Sequence, residues 1–321
     1  MSILRDVDLD ICAGTIVAVV GPSGCGASTL LRLATGAEHC DAGTVTVDGH
    51  TGAAAPRVPA VLDRSPALRF GRALASITTA ARHAGVVAPE AEAERLCALV
   101  GLRAGDAPVS RLALGDRQRW ALAKALAARP RALVLDDALA ALHTTARAQT
   151  RDRVVRELRE RGVTTLWATR DTAEAAAVAD ELVVLDGGRI VATGSPADVY
   201  RRLGDTAVAE VLGPVSAVPG IVEGAVVEVW GQRLALAVAA HDGHCEVVLR
   251  PEDVVLVSGD TTGVDAIVEE TTFLGSVRRS TVVTADGSRV VIEHPAEHRL
   301  DVDTRARIAL APVPVNVRPR D

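Results

Sequence analysis

The sequence predicts an α/β domain built on a parallel sheet, followed by a smaller all-β domain. Three observations carry this reading. Short apolar runs rich in β-branched residues alternate with helical stretches as far as about residue 205. The first run passes through a glycine-rich loop straight into a helix. From residue 221 the pattern changes to closely spaced β-type segments separated by turn signals.

The elements follow in order. TIVAVV (15–20) is a buried strand, GPSGCGAST (21–29) the glycine-rich loop, and ASTLLRLAT a helix closed by Gly36. GTVTVDG (43–49) reads as a strand ending in an Asp-Gly turn. Residues 70–130 are Ala/Leu/Arg-rich and mostly helical. RALVLDD (131–137) is a buried strand ending in two carboxylates. The charged helix that follows places Asp152–Arg156 and Glu157–Arg161 at i,i+4, which reads as a solvated face. VTTLWATR (163–170) is a third buried strand, and ELVVLDGGRIVATG (181–194) a hairpin around Gly187-Gly188. Trp120 and Trp167 fall in core-forming segments. The expected division is a first domain over 1–205, a helix and linker over 206–220, and a β domain over 221–321.

Composition narrows the function. Of 321 residues, 48% are hydrophobic and 24% charged, a core-forming mix. A net charge of -6 and 2% aromatics argue against a nucleic-acid partner, which needs basic surface and stacking platforms. The five cysteines, Cys12, Cys25, Cys40, Cys97 and Cys245, show no disulfide or metal spacing, so reduced thiols in a cytosolic compartment are expected. HDGHC (241–245) spans an Asp-Gly turn and reads as an exposed loop rather than a metal cluster. No apolar run approaches the roughly 20 residues a membrane helix needs.

Residues 21–28 have the spacing G-x-x-x-x-G-K-[ST] of a phosphate-binding loop, except that Ala27 stands where lysine belongs. Such a loop binds phosphate through main-chain N–H groups and the positive end of the following helix. Gly21, Gly24 and Gly26 allow that close approach; Ser28 could ligate Mg²⁺ and Thr29 bond a phosphate oxygen. Losing the lysine removes a charge-assisted bond worth about 1.5–3 kcal/mol. Cys25 sits in the loop, where a helix N-terminus can lower a thiol pKa and make it redox-sensitive.

LRDVDLDICAGTIVAVVGPSGCGASTLLRLATG (4–36) resembles the opening of an ABC transporter ATPase. RLALGDRQRWALAKALAARPRALVLDDALAALHTTAR (111–147) resembles its signature motif, Walker B strand and D-loop, in order. TTLWATRDTAEAAAVADELVVLDGGRIVATGSPADVY (164–200) resembles the switch segment. LRPEDV (249–254) and FLGS (273–276) resemble the TOBE-type barrel of importer subunits. The resemblance covers nearly the whole chain. It implies a P-loop nucleotide-binding domain with a helical subdomain, then a TOBE/OB-like barrel. It also implies ATP and Mg²⁺ as cofactors, and a homo- or heterodimer in which each nucleotide lies between one chain's phosphate loop and the other's signature motif. Permease subunits and an extracytoplasmic solute-binding protein would be partners, with the chain cytoplasmic and peripheral on the inner face of the membrane.

Carried over by position, the nucleotide-binding residues are Gly21, Pro22, Ser23, Gly24, Cys25, Gly26, Ala27, Ser28, Thr29, Asp63 and Gly115. The Mg²⁺ ligands are Ser28, Asp136 and Asp63. Asp63, in VLDRSPAL, replaces the Q-loop glutamine. LALGD (112–116) replaces the family's LSGGQ, so Leu114 stands in for a glycine that lets main chain approach the γ-phosphate, and Asp116 adds negative charge. Asp137 takes the place of the catalytic glutamate, one methylene or about 1.5 Å shorter. His143 replaces the D-loop aspartate and Arg170 the switch histidine. Arginine only donates, so it cannot copy a neutral imidazole. Met1 falls after the family's first strand and its adenine-stacking aromatic, so either the start is placed late or that contact is absent. Three readings stay open: an importer subunit with impaired hydrolysis, an enzyme whose chemistry has moved to Arg170 and Asp137, and a non-hydrolysing regulatory scaffold. FLGS and WGQRLAL lean toward the ferric-iron type of importer.

Overall fold

A computed structural model of the chain describes residues 3–51, 58–61, 71–103, 105–203, 205–258 and 262–320. It divides into two compact units, Met1–Val199 and Tyr200–Asp321.

The first unit is built on a six-stranded sheet. Its strands are β1 (Ile16–Val20), β4 (Ala60–Val61), β5 (Ala132–Asp136), β6 (Thr164–Ala168), β7 (Glu181–Asp186) and β8 (Arg189–Gly194), in the order β4-β5-β6-β1-β7-β8. All neighbours are parallel except β7 and β8, which form the expected antiparallel hairpin. The central strands are continuous apolar runs because helices cover both faces of a parallel sheet. All five residues of β1 are buried, and Trp167 is fully buried in β6. The turn at Asp48-Gly49 joins two short strands, β2 (Thr46–Val47) and β3 (His50–Thr51), in a small hairpin of their own. Residues 5–12 form no strand, yet Leu4, Val7, Leu9 and Ile11 pack on the core around β1.

Helix α1 (Ala27–Ala34) follows β1 and buries Leu31 on that core. The helical layer comprises α2 (Ala73–His83), α3 (Pro89–Val100) and α4 (Leu114–Ala127). Pro89 opens α3, where its missing N–H has no intrahelical role, and Gly101 closes it at φ +72°. Ile77, Leu96, Leu122 and Leu126 are fully buried, and the Trp120 indole donates to the Ser76 hydroxyl at 2.9 Å. Helices α5 (Thr144–Glu160), α6 (Thr172–Val178) and α7 (Pro196–Tyr200) complete the order.

Helix α5 departs from the expected solvated face. Glu157 is buried and bonds Arg95 of α3 at 2.6 and 3.0 Å and Arg161 at 2.5 Å, while Arg161 also holds Glu92 at 2.6 Å. The Glu157–Arg161 pair therefore forms as the spacing predicts, but inside a network that ties α3 to α5. Asp152 pairs with its neighbour Arg151 at 2.7 Å instead of Arg156.

In the second unit, α8 (Thr206–Val211) and strand β9 (Ser216–Glu223) occupy most of the stretch read as linker. One five-stranded antiparallel sheet has the order β11-β10-β9-β12-β18, with β10 at Val226–Val229, β11 at Gln232–Ala235, β12 at Gly243–Leu249 and β18 at Asn316–Pro319. The other has the order β13-β17-β14-β15-β16, with β13 at Val254–Leu256, β14 at Val264–Phe273, β15 at Val277–Thr284, β16 at Arg289–Pro295 and β17 at Arg305–Leu310. Alternate residues face inward, so Val218, Val222 and Val247 meet Val268, Val282, Ile292 and Ile308 in one core. Gly220 is required there, since a Cβ would lie 2.7 Å from a Val247 methyl. Cys245 is buried on β12, while His241 and His244 are exposed. Among the described residues no cluster of His, Cys, Asp or Glu suits a metal.

Candidate functional site

Strand register gathers the first unit's candidate residues. Val19 of β1 pairs with Ala168 of β6, which pairs with Asp136 of β5. The segments after Val20, Asp136 and Ala168 therefore leave one carboxyl edge, where open α/β sheets bind ligands.

The glycine-rich loop is tightly folded at that edge. A Cβ on Gly21 would lie 2.0 Å from the Leu185 carbonyl and 2.7 Å from Cys25 Sγ, so only glycine fits. Gly24 and Gly26 take φ of +87° and +105°, where other residues are strained. The loop closes on itself through Cys25 N–H to the Pro22 carbonyl at 3.0 Å, and is tied to the β7–β8 turn by Gly188 N–H to the Cys25 carbonyl at 3.1 Å. Pro22, Ser23 and Gly24 are exposed. The first helical bond of α1 runs from Leu30 N–H to the Gly26 carbonyl at 2.9 Å. The N–H groups of Ala27, Ser28 and Thr29 precede it and have no intrahelical acceptor. Ser28 is exposed, and Thr29 Oγ1 accepts from Arg32 at 3.1 Å. The Ala27 methyl packs on the core beside β1. Cys25 corrects the redox expectation: burial pushes its thiol pKa up, and the helix-start contacts only partly offset that.

Asp137 and Arg170, the two residues that the resemblance carries onto catalytic positions, meet. Arg170 Nε lies 3.3 Å from Asp137 Oδ2, and Arg170 N–H donates to Oδ1 at 3.3 Å. The Asp137 side chain is 16% exposed and that of Arg170 76%, so the aspartate is the fixed partner. Asp137 adopts φ +46°, an unfavourable region for a side-chain-bearing residue. It is held by its N–H to the Ala168 carbonyl at 2.9 Å and by Gln118 Nε2 donating to its carbonyl at 3.2 Å. Gln118 Oε1 in turn accepts from Ala141 N–H at 2.9 Å. Buried Gln118 thus bridges both ends of the turn after β5. An open cleft of about 360 Å³ borders this pair, lined also by Ala140, Arg147, Thr169 and Glu174. Asp136 ends β5, half-buried. Asp63 lies outside the described residues.

Gly115 enters from the helical layer. It sits in the first turn of α4, where a Cβ would come within 3.2 Å of the Ala141 carbonyl and 3.1 Å of a Leu142 methyl. Ala113 occupies the N-cap and its methyl supplies no capping bond. Leu114 projects into solvent, 66% exposed, and Asp116 pairs with Arg119 at 3.1 Å. His143 caps α5 without a side-chain bond.

The ABC transporter family model matches residues 4–140, and the TOBE domain model residues 247–315. The Fe(3+) ions import ATP-binding protein FbpC of Pseudomonas fluorescens is 31% identical over 95% of this chain and 91% of its own length. This chain belongs to the ABC transporter family. The FbpC protein of Streptomyces coelicolor is 37% identical over 86% of this chain and 81% of its own. The sulfate/thiosulfate import ATP-binding protein CysA of Caulobacter vibrioides is 33% identical over 94% and 90%. Among solved structures, the dimeric ATP-binding cassette MJ0796 bound to ADP and Pi has the same fold over 60% of this chain and 90% of its own, at 21% identity and a TM-score of 0.55. Among the described residues of this ABC subunit, no helix is long and apolar enough to cross a membrane.

Sequence reasoning missed Gln118, Arg147 and Glu174. Arg147 donates to the Ala140 carbonyl at 2.7 Å and stands 3.8 Å from Asp171. Glu174 is buried and accepts from the Thr169 hydroxyl at 2.6 Å. The available signal was a polar residue on an otherwise apolar helix face: Gln118 before Trp120 and Leu122, and Glu174 within TAEAAAV.

Proposed function

We propose that this chain is an importer subunit that binds ATP with Mg²⁺ through main-chain amides and hydrolyses it slowly or not at all. The supporting observation is the contrast within one edge. The glycine geometry of the phosphate loop is intact, whereas the lysine position is a core-packed methyl and the switch cation is spent on Asp137. The loop's backbone suits a triphosphate: Gly24 and Gly26 take positive φ, and the N–H groups of Ala27, Ser28 and Thr29 lack intrahelical acceptors. Ser28 and Asp136 are the residues that would hold Mg²⁺, which when bound neutralises phosphate charge and orients the terminal group.

Asp137 is a carboxylate in the right place to align water, but shorter than glutamate, and displacement near 1 Å can cost about 10²-fold in rate. Its Oδ1 already accepts from the Arg170 N–H, and its Oδ2 is ion-paired with the Arg170 guanidinium. Across a dimer, Leu114 would present a bulky side chain and Asp116 a negative charge to the other chain's phosphates. Each composite site would then be altered on both halves, so an intact partner would not complete either one.

Relatives named as import ATP-binding proteins support docking to permease subunits at the inner face of the membrane, with a solute-binding protein outside. Cargo selection rests with those partners; ferric iron is the reading that the FbpC relatives and the FLGS segment favour. The test compares wild type with Ala27→Lys for Mg-ATP affinity by calorimetry and for phosphate release. Binding without appreciable release by wild type is the expected result. Release at a rate ordinary for such ATPases rejects the proposal.

A further inference from the structure

Behind the Asp137–Arg170 pair lies a carboxyl group that the binding reading does not use. Glu174 is 5% exposed, and its Oε1 is buried with no hydrogen-bond partner. Oε2 accepts from the Thr169 hydroxyl at 2.6 Å. Thr169 Oγ1 accepts from Asp171 N–H at 3.2 Å, and Asp171 Oδ1 accepts from Glu174 N–H at 3.0 Å. Three residues thus close a ring around Arg170, the residue that meets Asp137 through both its amide and its guanidinium.

We propose that Glu174 is a protonation-sensitive positioning residue, which through Thr169 holds the switch segment so that Arg170 engages Asp137. With its proton, Glu174 is a neutral group at the buried floor of the cleft. Without it, a negative charge faces Asp171 from its own helix start and Asp137 from the turn after β5, with Arg147 of α5 the opposing cation. Burial pushes its pKa above the ordinary 4.5, the two aspartates add to this, and the Thr169 bond and Arg147 work against it. Ionisation tightens the Thr169 bond but sets Glu174 against Asp171 and Asp137, and that repulsion shifts the switch segment and loosens Arg170 from Asp137. The functional consequence rests on the proposed nucleotide reading of the cleft; the positioning itself does not.

Nuclear magnetic resonance on the nucleotide-free full chain tests it. The Glu174 carboxyl carbon and the Arg170 amide are followed against pH in wild type, Glu174→Gln and Thr169→Val. In wild type, Glu174 should titrate above 4.5 and the Arg170 amide should move with the same midpoint. Glu174→Gln should abolish that Arg170 step. Thr169→Val should uncouple the two signals while Glu174 still titrates, which decides the matter if the glutamine variant fails to fold. An Arg170 step unchanged in either variant, or a Glu174 midpoint at or below 4.5, overturns the proposal. In a second arm, the pH dependence of Mg-ATP affinity should flatten in Glu174→Gln. An absence of ATP binding would reject the nucleotide reading while leaving the resonance result standing.

Discussion

Two side chains at the carboxyl edge of the sheet carry the proposed reading, and each can be tested by substitution. Ala27→Lys places a cation beside the main-chain N–H groups after Gly26 and should tighten Mg-ATP binding by about 1.5–3 kcal/mol, roughly 10- to 140-fold, in calorimetry. Turnover should rise less than affinity, because Asp137 remains short and paired with Arg170. Arg170→Ala removes the guanidinium from Asp137 Oδ2 and keeps the main-chain bond to Oδ1. If Arg170 were supplying transition-state charge, phosphate release would fall; the present account expects release to stay at its low level. The loop's fold was legible in the sequence because glycine spacing encodes backbone geometry. The Asp137–Arg170 contact was not, since 33 residues separate the partners and only the β5–β6 register unites them.

At the scale of elements, the strands were legible because a strand covered on both faces must be an unbroken apolar run, as IVAVV and TTLWA are. Side-chain pairing on helices was less so. The i,i+4 spacing is right for Glu157–Arg161 and misleads for Asp152, because spacing cannot tell which neighbour tertiary contacts will claim. Glu157 is buried between two arginines, and removing its charge leaves both with Glu92 as their one remaining carboxylate partner among the described residues. Glu157→Gln should lower stability by about 2 kcal/mol in urea unfolding, between the values for exposed and buried pairs. Hydrogen bonds and ionic attraction from Arg95, then Arg161, hold the Glu92 pKa at about 2. Since Glu92 ionises more readily folded than unfolded, its contribution is full above pH 4.5 and is lost as pH falls toward 2. On α4, Leu114→Gly removes an exposed apolar side chain at the start of the signature helix. It should promote nucleotide-dependent dimers in sedimentation if Leu114 obstructs the facing phosphates.

For the molecule as a whole, two units with separate cores imply separable stabilities. His294 gives the β unit a pH signature. Burial in that unit, where it meets the Ser280 hydroxyl at 2.9 Å, pushes its pKa below 6.5. The unfolded chain takes up that proton first, so the unit should lose stability as pH drops through 6.5, and His294→Gln should blunt the loss in thermal scans near that pH. Such a shift needs no change in the first unit. The central claim concerns that first unit: main-chain groups retain a nucleotide after the side chains that drive its turnover have been replaced. Its most direct measurement is Mg-ATP affinity and phosphate release on the same preparation of the full chain. Measurable binding with release far below that of an intact cassette is the predicted result. Brisk release, or no binding at millimolar nucleotide, would contradict it.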